Sequence, residues 1–254
     1  MHGPAGVLTV VLFETALGVL ALVWVAPLWG VVRPGFFKLV GATVAACAAL
    51  AWLTGRGELG RAGASGRAAA LWLGVFALAV VAWQVLVYAR LAAARWAGVA
   101  AVAPGLAAAW PLAVLSGRPL LGAVALLTGS LFLGATVDGL LLGHWYLVDR
   151  RLSNRPIVAL ASWFIAGVAA ALVSAALGGE RGGSVDQALS PLLAFPNLTV
   201  YLAVGLVLVC GTIASFIRVL VRGGSIQAAT GMFYLAVVMA LAAEFAAKVY
   251  FFPT

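Results

Sequence analysis

Apolar runs of about 20 residues or more recur from one end of the chain to the other, separated by short polar or basic breaks. A helix needs about 20 apolar residues to cross a ~30 Å hydrocarbon layer, so this recurrence leaves few folds open. Only 9% of the residues are charged and 65% are hydrophobic, against about 25% charged in a soluble domain. Such a chain has too few charges to cover itself with a hydrated surface. No polar stretch reaches the ~50 residues of a separate soluble domain. The expected fold is all-α: a polytopic membrane helix bundle of eight spans, forming a single transmembrane domain over 1–254.

The first run extends from Ala5 to Val32 and stops at Arg33-Pro34, and the second from Gly35 to Thr54, ahead of a Gly/Arg-rich loop from Gly55 to Arg67. The third covers Ala68 to Leu91 and the fourth Trp96 to Ser116. A long fifth runs from Pro119 to Val148, and the charged stretch Asp149 to Arg155 follows it. The last three are Pro156 to Gly178, Leu192 to Val221 and Ser225 to Phe252, with a polar loop from Gly179 to Ser190 before the seventh. Backbone groups in hydrocarbon must bond within their own segment or close a barrel. Barrel strands alternate apolar and polar residues over ~10-residue segments, and these runs do not alternate. Proline opening spans five and six suits a first helical turn. Pro27, Pro104 and Pro111, inside spans or near their ends, predict kinks.

The net charge of +8 raises the question of nucleic acid. The basic residues lie singly or in small groups between apolar runs, a topology signal rather than a phosphate-tracking patch, and no nucleic-acid partner is expected. With eight spans, one side holds Arg33, Lys38, Arg90, Arg95, Arg150, Arg151, Arg155, Arg218 and Arg222. The other holds Arg56, Arg61, Arg67, Arg118, Arg181 and Lys248. Nine against six places both termini on the non-cytoplasmic side of a cell membrane, here read as a bacterial inner membrane. The opening Met1-His2-Gly3 lacks a basic region and Glu14 interrupts the apolar run, so the first segment reads as a retained span rather than a cleaved signal. Cys47 and Cys210 sit in different apolar runs and read as small hydrophobes.

An internal echo accompanies these spans. Leu8-Thr9 and Leu12-Phe13 in span one resemble Leu127-Thr128 and Leu131-Phe132 in span five, and Arg33-Pro34 matches Arg155-Pro156. Tyr88-Ala89-Arg90 and Phe216-Ile217-Arg218 close spans three and seven. The offsets point to halves 1–117 and 118–254, parallel rather than inverted because each holds an even number of spans. Chance matches within Ala/Leu/Val-rich sequence are the competing explanation.

Ionisable groups inside hydrocarbon cost about 2.5–3.5 kcal/mol on insertion scales, so each needs a partner or a purpose. Four stand out: Glu14 in span one, Asp138 and His144 in span five, and Glu244 in span eight. At 1.5 Å per residue, Glu14 and Glu244 both lie roughly 12–13 Å from the outer ends of their spans, on the same side of the membrane. Adjacent helices would let the two carboxylates share a site or a proton. Lys248 follows Glu244 by one turn and permits an ion pair, which is the structural reading of both acids. Asp138 lies near the middle of span five and His144 about one turn from its end, followed by Trp145 and Tyr146. Asp138 and His144 are about 120° apart around the helix and form no direct pair. The His-Trp-Tyr run reads either as an interfacial aromatic belt or as a quinone headgroup site.

Other signals carry less. A single intramembrane histidine supplies no bis-histidine haem, and His2 belongs to the opposite side. No Cys/His metal spacing occurs, so no metal site and no covalently bound cofactor is expected. The Asn197-Leu198-Thr199 triplet abuts a span, and the Gly-rich loop after span six lacks the Lys-Ser/Thr of a phosphate cradle. Nothing sets a serine beside His144, and no catalytic residue is assigned. Quinone is the one cofactor the residues suggest.

Three readings of function follow. The first is a non-catalytic membrane subunit of a redox or energy-coupling complex, working with other subunits in the bilayer. In it His144, Trp145 and Tyr146 contact quinone, with Arg90 or Arg151 as nearby cation, and Glu14, Asp138 and Glu244 relay protons. The second is a small proton-coupled transporter or channel with the three acids on its path and broken-helix sites in spans four and five. The third is a scaffold or assembly factor. The eight-span architecture resembles that of some quinol-interacting membrane subunits, a likeness of layout that transfers no residue.

Overall fold

Eight helices form along the chain: α1 (Pro4–Val25), α2 (Pro34–Arg61), α3 (Gly63–Tyr88), α4 (Ala94–Leu115), α5 (Pro119–Val148), α6 (Arg155–Gly178), α7 (Leu198–Arg222) and α8 (Ile226–Lys248). The structure is a computed structural model and describes residues 4–26, 28–149, 151–178, 198–249 and 251–252. All eight helices are long and apolar enough to cross a membrane. Among the described residues there is no strand, only an isolated bridge between Trp29 and Val32. The chain is an all-α, multi-pass membrane helix bundle.

Several helix boundaries depart from the sequence expectation, among them the last, since α8 ends at Lys248 and not at Phe252. The first helix ends at Val25, not Val32, and residues 28–33 form an irregular connection whose Val31 and Val32 amides donate to the Leu28 carbonyl. The expected Gly55 to Arg67 loop is almost entirely helix, because α2 runs on to Arg61 and α3 starts at Gly63. Leu59 is buried there, and Glu58 pairs with Arg61 at 3.0 Å, which offsets the weak helix propensity of the glycines. The turn shrinks to Ala62-Gly63, and Gly63 takes the left-handed φ of +76° that ends a helix in minimal length. Both α4, with Pro104 and Pro111 inside it, and α5 are continuous helices. The broken-helix sites expected in them are therefore absent. Pro27, His2, Arg150, Arg181, the loop from Gly179 to Ser190 and Asn197 lie outside the described residues.

The centre of the bundle is α1 packed on α5. The most apolar window of α1 is 83% buried, against 33–50% for the other helices, so α1 is enclosed by protein and the rest are half-wetted by lipid. Where α1 and α5 cross, a Cβ on Gly18 would overlap the Ser130 carbonyl, and one on Gly134 would overlap the Gly18 backbone. Small residues on both sides allow that backbone-to-backbone approach. Consecutive helices pack side by side, and α5 also packs on α8 and α4, and α1 on α4 and α8. These neighbour relations repeat with a step of four: α1 with α4 matches α5 with α8, and α4 with α5 matches α8 with α1. The outward faces carry apolar side chains at a seven-residue step, such as Leu71, Leu78 and Val85 on α3. That stripe is a lipid-facing surface.

Candidate functional site

Three charged side chains from the two ends of the chain meet in the interior, at the end of the bundle opposite the α1–α2 connection. Glu14 of α1 is 0% exposed and Lys248, the last residue of α8, is 4% exposed. The Lys248 Nζ lies 2.9 Å from Glu14 Oε1 and 3.1 Å from Glu244 Oε2. It also donates a 3.0 Å hydrogen bond to the Ala125 carbonyl of α5. The ammonium group is thus ion-paired with two carboxyls and hydrogen-bonded to one carbonyl. Phe251 covers the amine, with its ring centroid 5.8 Å from Nζ, and is itself fully buried. A Cβ on Gly129 would lie 2.6 Å from Glu14 Oε1; glycine at that point of α5 makes the room the carboxyl occupies.

The sequence expectation that Glu14 and Glu244 share a site holds in this geometry, and so does the Glu244–Lys248 pair one turn apart. What the spacing did not reveal is that one lysine bridges both acids. With all three groups ionised the cluster carries a net charge of −1, and Glu14 Oε2 faces no hydrogen-bond donor among the described residues. On the Glu244 and Lys248 side of the cluster, a cavity of about 90 Å³ opens between α5, α6, α7 and α8, lined by these two residues together with the hydroxyl residues Thr128, Ser174 and Thr199. It has room and polar partners for several waters.

Asp138 is isolated. It is 0% exposed, and neither carboxyl oxygen has a hydrogen-bond partner among the described residues. It lies one turn beyond Gly134, on the side of α5 that meets α1. Nine residues of α5 separate it from Gly129 at the charged cluster, a rise of roughly 13 Å. Ser130 and Thr136 fall in that interval, each donating to the carbonyl four residues back in its own helix.

The residues considered for a quinone headgroup are not brought to one place. His144 is exposed on the outer face of the bundle. Trp145 turns inward against α2, where its ring fills the space over Gly35 and meets Phe36 edge-on at 6.2 Å. Tyr146 is buried and donates from its hydroxyl to the Ser153 carbonyl. The 100° step between neighbours in a helix sends the three side chains in three directions. Arg151 is exposed, whereas Arg90 shares a groove with Trp145. Among the described residues no group of three His, Cys, Asp or Glu is placed to hold a metal ion. Comparison of the chain with descriptions of protein families, with curated proteins and with solved structures gave no match, so the chemistry of the site is read from its own geometry.

Proposed function

We propose that this chain relays protons as a membrane subunit of an energy-coupling complex, using Glu14, Glu244 and Asp138, with Lys248 organising the first two. The observation that carries this reading is the buried Glu14–Lys248–Glu244 cluster. It holds two acids for one base and abuts a cavity whose largely apolar walls carry Glu244, Lys248 and three hydroxyl side chains. A proton delivered by water in the cavity to Glu244, the carboxyl that lines it, neutralises the cluster, and its departure restores the charge. The ammonium remains in place through both states, so the cluster gains and loses a proton without losing its internal pairing. Asp138, roughly 13 Å farther along α5, is the next titratable station toward the basic end.

The positive-inside count supports a basic end facing the cytoplasm, with the cluster nearer the opposite face. Repetition of neighbour relations every four helices supports two parallel halves, 1–117 and 118–254. Under this reading a polar solute pathway is not required, which agrees with two continuous central helices.

The test is proton entry into liposomes that hold the purified chain, a trapped pH dye and an imposed membrane potential. Wild-type protein is expected to admit protons. Glu14→Gln, Glu244→Gln and Asp138→Asn are each expected to slow entry at least tenfold. Equal entry in wild type and all three variants, or no entry above empty liposomes, contradicts the proposal.

A further inference from the structure

At the basic end of the bundle, a groove of about 960 Å³ runs between the α1–α2 connection, the α3–α4 turn and the end of α5. Its walls include Trp29, Phe37 and Trp145, and its charged groups are Arg33, Lys38, Arg90 and Asp149. Three cations against one acid leave the groove at +2. Among the described residues, the one ion pair inside it, Arg33 Nε to Asp149 Oδ2 at 2.9 Å, uses a single guanidinium nitrogen, and neither terminal nitrogen of Arg33 has a partner. Lys38 stands over the Tyr88 ring with Nζ 4.5 Å from its centroid, a position that keeps its charge at the rim.

Two further features place unpaired hydrogen-bond donors in the walls of the same space. The first is the N-terminus of α2. Pro34 and Gly35 line the groove, Arg33 caps the helix without a side-chain hydrogen bond, and the Gly35 amide, at the second helical position, has no acceptor within its own helix. A helix of this length adds partial positive charge at that end. The second is Trp145, which lines the groove and whose indole nitrogen, buried just behind that wall, has no hydrogen-bond partner among the described residues.

Arg90 supplies an independent argument. The α3 helix ends with Leu91 N–H bonding the Leu86 carbonyl and Arg90 N–H bonding the Val87 carbonyl. This is the Schellman arrangement, in which the left-handed residue is usually glycine. The end of α7 uses the same pair of bonds, Ser225 to Leu220 and Gly224 to Val221, with Gly224 at φ +79°. On α3 the left-handed residue is Arg90, at φ +57°, which costs on the order of 1 kcal/mol relative to glycine. An arginine held there against that cost, with its side chain in a cationic groove, points to use of the guanidinium.

We infer that this groove binds the phosphate-bearing headgroup of an anionic phospholipid. The chemistry requires a phosphate oxyanion, met by guanidinium forks, an ammonium and backbone and indole N–H donors. A lipid is the source that fits the setting. The groove opens at the end of the bundle beside Val31, Leu91 and Val148, which are 50%, 51% and 68% exposed and offer a surface to acyl chains. Basic pockets between helix ends on the cytoplasmic side are where such headgroups are held.

The test is native mass spectrometry of the detergent-purified chain after incubation with dioleoyl phosphatidylglycerol or dioleoyl phosphatidylcholine, and with inorganic phosphate as competitor. Wild type is expected to retain phosphatidylglycerol at least tenfold better than phosphatidylcholine. The Arg33→Gln/Lys38→Gln/Arg90→Gly variant should lose that preference, and Trp145→Phe should weaken it a few-fold. A second variant, Arg218→Gln/Arg222→Gln, removes the same kind of charge outside the groove and is expected to keep the preference, which separates the site from general basicity. Equal retention of the two lipids by wild type, or loss of the preference in the Arg218/Arg222 variant, overturns the inference. So does displacement of phosphatidylglycerol by inorganic phosphate at equal concentration, which would make the ligand a free anion.

Discussion

Replacing Lys248 by methionine removes the only cation of the buried cluster and leaves Glu14 and Glu244 facing each other's charge. The two ion pairs, at 2.9 and 3.1 Å, each represent about 5–6 kcal/mol of gross attraction at an effective dielectric of 20. Desolvation of each ion costs several kcal/mol, so the intact cluster contributes little net stability. Breaking it is a different matter, because the partners left behind stay buried; such changes cost about 3–5 kcal/mol. The bond to the Ala125 carbonyl is lost as well. Lys248→Met is therefore expected to destabilise the protein by about 3–5 kcal/mol, or roughly 6–20 °C in melting temperature on the scale of soluble domains. Lys248→Met combined with Glu14→Gln and Glu244→Gln has no buried charge left and is expected to return to within about 2 kcal/mol of wild type. Unfolding by SDS in mixed micelles, followed by tryptophan fluorescence, measures both. A single variant as stable as wild type, or a triple variant less stable than the single one, would refute the view that these charges are desolvated and mutually compensated.

Other variants read separate parts of the account in the same unfolding assay. Gly134→Leu puts a side chain where α5 meets the backbone of α1 at Gly18 and is expected to cost about 3 kcal/mol or more; a stable Gly134→Leu protein would mean that the two helices do not touch there. Asp138→Val removes a buried carboxyl without a partner and is expected to stabilise by about 1–3 kcal/mol while abolishing proton entry into liposomes. Loss of stability together with retained proton entry contradicts both halves of that prediction. Tyr146→Phe deletes the hydroxyl bond to Ser153 and is expected to cost about 1 kcal/mol. Asp149→Asn, whose partner Arg33 has a side chain 70% exposed, is expected to cost less than about 1 kcal/mol.

The spans were legible in the sequence because hydrocarbon imposes a minimum length and tolerates few charges, and that constraint acts residue by residue. Pro119 and Pro156 marked the starts of α5 and α6 correctly for the same local reason: proline fits a first turn. The Gly55 to Arg67 stretch was misread because glycine content is a local signal, whereas burial of Leu59 and the two-residue turn at Gly63 are tertiary and backbone facts. In the candidate site, depth arithmetic paired Glu14 with Glu244 because both are measured from the same face of the bundle, one from a helix start and the other from a helix finish. It did not identify Lys248 as the shared partner, since that requires α1, α5 and α8 to converge, a relation between helices more than 200 residues apart in sequence. Gly129 could have been noticed as one of several glycines in α5, but its role as the space for a carboxyl depends on the facing helix. The contiguous His144-Trp145-Tyr146 run misled in the opposite sense. Neighbours in sequence are 100° apart on a helix, and these three face lipid, α2 and the α5–α6 loop. The basic groove was invisible as a unit because Arg33 and Lys38 flank the start of α2 whereas Arg90 comes from the α3–α4 turn.

Infrared difference spectroscopy of the protein in lipid, recorded across a pH step, tests the central claim most directly because it observes the carboxyl groups themselves. A carboxyl C=O band is expected to appear as the cluster takes up a proton, to vanish in the Glu14→Gln/Glu244→Gln variant and to persist at full intensity in Asp138→Asn. A spectrum unchanged by the double substitution would show that the buried pair exchanges no proton and would contradict the account.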